Sequence, residues 1–127
     1  MNLEKVIFAF FIILALTVNF GFFIGDIDNP AHHNVLGLYA AIFVNSVATI
    51  LKFGDRSHIG AMLLAASLVA ILHLVAAAAV WGYTVHVVDS GLTASTVATI
   101  VSLSGGAVIA NVISVTLVII ELVLLRR

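Results

Sequence analysis

The chain has 127 residues, of which 63% are hydrophobic and only 9% charged. Soluble domains sit near half apolar with about a quarter charged, so the composition is that of a membrane protein. The formal net charge of −1 leaves no basic patch for nucleic acid, and the absence of cysteine excludes disulfides and thiolate chemistry.

Four apolar runs follow in chain order: residues 6–24, 35–51, 59–85 and 106–125. A spanning helix needs about 20 apolar residues. The first, third and fourth meet that, and the second is short but flanked by polar ends. The predicted fold class is therefore all-α: a polytopic integral membrane protein with four transmembrane helices in one membrane domain, 1–127. Lys5 precedes the first run and resembles the start of a signal peptide, but the run is long and lacks a small-residue cleavage site before Asp26, so it reads as retained.

The first outer loop runs Gly25-Asp-Ile-Asp-Asn-Pro-Ala-His-His33, with Asn29-Pro30 as a turn signal. The second run returns to a tight inner loop, Phe53-Gly-Asp-Arg-Ser57, where Ser57 or Asp55 can cap the third helix. Trp81 and Tyr83 mark the outer interface. The stretch 92–104 is apolar but sits before a run already long enough to span. A continuous helix through it would reach about 50 Å against a hydrocarbon core of about 30 Å. It reads as a re-entrant half-helix, an interfacial helix or the top of a long tilted helix, with Ser104-Gly105-Gly106 as the expected break.

Under this count every Lys and Arg falls on one side: Lys5, Lys52, Arg56, Arg126 and Arg127. The other side carries Asp26, Asp28, Asp89, His32, His33 and His86. The positive-inside rule then places both termini and the loop at 52–58 in the cytoplasm, and the short loops suggest a bacterial inner membrane.

At about 1.5 Å per residue from the inner ends, Asn19, His73 and Asn111 stand about 21–22 Å up their helices. With Ser104, Gly105 and Gly106 they form a candidate polar layer that reads either as the lining of a cation path or gate, or as interhelical hydrogen bonding. Glu121 is the acid placed within a span, near the inner interface. It reads as a proton or cation site, or as the partner of Lys5, Lys52 or the terminal arginines. With Lys52, Asp55 and Arg56 it makes the inner charge set. Asp26, Asp28, His32, His33 and His86 are donors that suit a transition metal, against the alternative of a solvated acidic rim that concentrates cations. Small residues four apart, as in Gly37/Ala41, Ala66/Ala70 and Gly106/Ala110, let backbones approach closely and leave little room for a path within one chain. Any pore is thus expected in a homo-oligomer. No nucleophile with a positioned base, paired carboxylates or phosphate loop is present in the pattern, so neither an enzyme nor a cofactor is expected.

The stretch from Val47 through Lys52-Phe-Gly-Asp-Arg-Ser-His58 to Ala70, with the outer Gly25–Pro30 segment, resembles a family of short bacterial four-helix inner-membrane proteins. The resemblance covers nearly the whole chain and implies a link to potassium-uptake genes, with no activity or site residues attached. The functional expectation is a small oligomeric protein that conducts or assists transport of a monovalent cation, potassium first. The alternatives are a non-conducting accessory subunit of a larger transporter and, as a minority reading, an outer-side metal or pH sensor.

Overall fold

The computed structural model describes residues 3–26, 29, 31, 33–53 and 57–125. Four helices account for nearly all of them: α1 (Leu3–Phe23), α2 (Val35–Lys52), α3 (His58–His86) and α4 (Ala94–Leu125). All four are long and apolar enough to cross a membrane. Each packs on the next in the chain, and α4 closes back on α1, so the section is a four-membered ring of antiparallel neighbours. The α3–α4 contact is the most extensive.

Local chemistry sets the helix ends. Asn34 is extended (φ −82°, ψ 126°) and its side chain accepts from the Leu36 amide, which caps α2. Ser57 does the same for α3, accepting from the Gly60 amide at 2.9 Å. Gly25, with φ 111°, turns the chain out of α1 through a conformation that a side chain rarely tolerates.

The fourth helix corrects one expectation. Ala94–Leu125 is a single helix of 32 residues that runs through Gly105-Gly106 without a break. Of the three readings of 92–104 the structure adopts the long helix, not the re-entrant or interfacial one. Two effects decide this. A break at membrane depth would strand N–H and C=O groups where no water serves them, costing several kcal/mol per group, against about 1 kcal/mol for a glycine kept helical. The upper stretch also has its own partner surface, because Val97, Ile100 and Val101 are as buried as the lower core. The helix is about 48 Å long at 1.5 Å per residue, longer than a hydrocarbon core of about 30 Å, and it runs beside the similarly long α3.

The core is built from small and branched residues. Its larger cluster gathers Phe22, Leu38, Ala70, Leu74, Ala77, Ile100 and Ala107 toward the end where α1 passes into α2, and a second gathers Phe8, Ile12, Ala48, Leu63 and Leu117 toward the end where α1 begins. Alanines at the contact surfaces let the helices approach closely, as in other membrane bundles. Trp81 tucks against Phe22 at 6.4 Å between ring centroids, while Tyr83 faces outward.

Candidate functional site: a buried amide and a polar groove at mid-depth

Close contacts fix the register of the site. Asn111 Nδ2 donates across the bundle to the Ala15 carbonyl at 3.5 Å. A Cβ on Gly105 would lie 2.8 Å from Phe23 Cε1, and one on Gly106 would lie 2.6 Å from His73 Cδ2. Both glycines are therefore places where a neighbouring ring lies directly on the α4 backbone. Asn19 lies between Ala15 and Phe23 on α1, so it stands opposite the stretch of α4 between Gly105 and Asn111.

Asn19 is fully buried, and among the described residues neither its Nδ2 nor its Oδ1 has a hydrogen-bond partner. Buried amides are almost always paired, and an unserved one costs about 1–3 kcal/mol. Its neighbours in the predicted layer are satisfied: Ser104, also fully buried, donates to the Val101 carbonyl at 2.8 Å, and Asn111 reaches Ala15. Ser114, which sequence reasoning did not single out, is buried one turn below Asn111 and donates to the Ala110 carbonyl. On α2, Asn45 and Thr49 donate within their own helix, to the Ala41 and Asn45 carbonyls.

A stability prediction follows from Asn19. Replacement by Val, which removes both unserved atoms, should raise stability by about 1–2 kcal/mol, because no hydrogen bond is lost. Thermal unfolding of the purified protein in detergent reads this directly. A lowered transition would show that the amide is in fact served.

His73 stands at the same level but on the other side of α4. Its Nδ1 is 2.9 Å from the Val69 carbonyl, which can only accept, so Nδ1 carries a hydrogen, and in the neutral ring Nε2 is left as an acceptor. The ring edge lies over Gly106 in an open groove of about 540 Å³, whose other polar lining is Ser95, Thr99 and Ser102. The predicted layer is thus divided: Asn19, Ser104 and Asn111 lie inside the bundle, and His73 lies on its outer surface. The signal for the groove is visible in sequence, since Ser95, Thr99, Ser102 and Gly106 recur at three- and four-residue spacing and share one helix face.

The ends of the bundle differ in charge. Lys5, Lys52 and Glu121 come together with Glu4 around one cavity between α1, α2 and α4. Lys52 Nζ lies 4.4 Å from the centre of the Phe8 ring. Asp55 and Arg56 lie outside the described residues, as do Arg126 and Arg127. At the opposite end Asp26 and His86 are exposed, whereas His33 is buried. Its Nδ1 lies 2.6 Å from the Phe22 carbonyl and its Nε2 2.7 Å from the Asp26 carbonyl. Both carbonyls can only accept, so a neutral ring donates to one of them and only a ring with hydrogen on both nitrogens donates to both. Among the described residues no group of three or more His, Asp or Glu side chains is placed to hold a metal. Asp28 and His32, also named as candidate ligands, lie outside the described residues.

A family model described as Family of unknown function (DUF6394) matches residues 32–122, from the first outer loop nearly to the end of α4. No curated protein and no solved structure matches the chain.

Proposed function

The chain belongs to that family of unknown function, and we propose from its own geometry that it is a small oligomeric membrane protein that conducts or assists transport of a monovalent cation, potassium first. The observation that carries the reading is the unserved carboxamide of Asn19 in the bundle interior. A polar group kept there at a cost in stability suggests a role other than holding the fold. Its Oδ1 is a carbonyl-type oxygen, the ligand type that replaces water around an alkali cation. The groove on α3 and α4 supports assembly. His73 Nε2 and Ser102 lie on this open face, where a second copy would offer them partners, while Thr99 already donates to the Ser95 carbonyl. The gathering of Lys5 and Lys52 at one end supports placing both termini on the cytoplasmic side of a bacterial inner membrane.

The test is potassium, sodium, proton and chloride flux in proteoliposomes of the purified protein. The expected result is potassium-selective flux above empty liposomes, lost in Asn19→Val even as that variant is more heat-stable. Flux no different from empty liposomes would remove the reading. It would leave an accessory subunit that docks on a larger transporter through the same groove. That second reading is supported by the closed core, where Leu38, Leu74 and Ile100 are fully buried.

A further inference from the structure

The end of the bundle where α1 begins and α2 and α4 finish holds a cavity of about 510 Å³, in the range of small-ligand sites. Among the described residues its charged lining is balanced: Lys5 and Lys52 against Glu4 and Glu121. Phe8 forms part of the floor, and its ring holds the Lys52 ammonium in place by a cation–π contact. The remaining wall is apolar and runs onto the outside of the bundle, where Leu122 is more than half exposed. Charge above and exposed apolar surface beside it, at the point where spanning helices leave the hydrocarbon, call for an amphiphile.

We propose that this cavity takes the headgroup of a zwitterionic aminophospholipid from the surrounding bilayer. The phosphate lies with Lys5 and Lys52, the primary amine with Glu4 and Glu121, and the acyl chains run down the apolar wall beside Leu122. Two features choose this lipid class. Among the described residues the lining has two positive and two negative side chains, so a net-anionic headgroup that reaches the lysines also meets two carboxylates, while a phosphate–amine pair matches both signs. The carboxylates accept charge-assisted hydrogen bonds, which a primary ammonium donates and a trimethylammonium, having no N–H, does not. The inference is independent of cation transport, because it uses no residue of the mid-depth site.

Native mass spectrometry of the detergent-purified protein tests it, with dioleoyl phosphatidylethanolamine, phosphatidylcholine and phosphatidylglycerol added at equal concentration. The expected result is retention of phosphatidylethanolamine about tenfold over either other lipid, the size of one charge-assisted hydrogen bond. Glu121→Gln should bring phosphatidylethanolamine down to the phosphatidylcholine level. Glu4→Gln, on the exposed first turn of α1, should lower the same preference without touching α4. Equal retention of the three lipids by the wild-type protein, or a preference for phosphatidylglycerol, overturns the proposal without any variant. So does a phosphatidylethanolamine preference that survives both substitutions.

Discussion

Gly106→Val is expected to lower the stability of the bundle by about 2–3 kcal/mol, the upper part of the range for overpacked sites. A Cβ at this position would lie 2.6 Å from His73 Cδ2 and 2.9 Å from Nε2, so the first added carbon already overlaps the ring. The ring cannot swing aside freely. Its Nδ1 is held by the Val69 carbonyl, and giving up that bond costs about 1 kcal/mol. The remaining route is for α4 to move off α3, which loosens the largest helix–helix contact in the molecule. Helix propensity works the other way, since Val is a few tenths of a kcal/mol better than Gly in a helix, but that is too small to offset the overlap. Two controls isolate the cause. Gly82→Val adds its side chain where nothing lies within 4 Å, and should shift the thermal transition little. His73→Ala combined with Gly106→Val should recover at least half of the loss, giving a coupling energy in a double-mutant cycle. Additive effects of the two substitutions would show that the ring–backbone contact is not what Gly106 is for.

How far such features are legible from sequence depends on which coordinate they concern. Depth in the membrane is nearly one-dimensional, and counting residues from Lys5, His58 and Arg126 puts Asn19, His73 and Asn111 at one level. Azimuth is another matter. In a soluble helix the polar face names the solvent side, but here the lipid-facing and core-facing surfaces are both apolar, so the pattern does not tell them apart. Ile109 and Val112 face outward while Ala107 and Ala110 face inward, and all four are simply apolar in sequence. That is why Asn19 and His73 read as one layer, although one lies inside the bundle and the other on its surface. The caps at Asn34 and Ser57 are local chemistry, and Ser57 is readable as a cap for that reason. Gly105-Gly106 misleads because a glycine pair signals a break where water competes for the backbone. Here it signals that two rings need room.

His33→Phe is expected to cost about 1–3 kcal/mol. As one of two adjacent histidines in an acidic loop, His33 reads in sequence as a metal donor. In the folded chain it is 1% exposed, with one ring nitrogen on the Phe22 carbonyl and the other on the Asp26 carbonyl. The Phe22 carbonyl belongs to the last turn of α1, which has no further helix to serve it, and the Asp26 carbonyl to the loop that follows. The imidazole, which also packs 5.6 Å from the Phe22 ring, thereby ties the start of α2 to the end of α1. Phenylalanine keeps the aromatic contact and removes every donor, so the loss reports the hydrogen bonds alone. Leaving the buried Phe22 carbonyl unserved costs about 1–3 kcal/mol, whereas the Asp26 carbonyl is part-buried and keeps the Asn29 amide as a donor. Glutamine, whose amide offers donors on one arm, should recover part of the loss. Thermal unfolding in detergent of the wild type and both variants measures the series. A Phe variant as stable as the wild type would show that the α1–α2 corner is held by something other than this ring, and would return His33 to the pool of residues available for ligand chemistry.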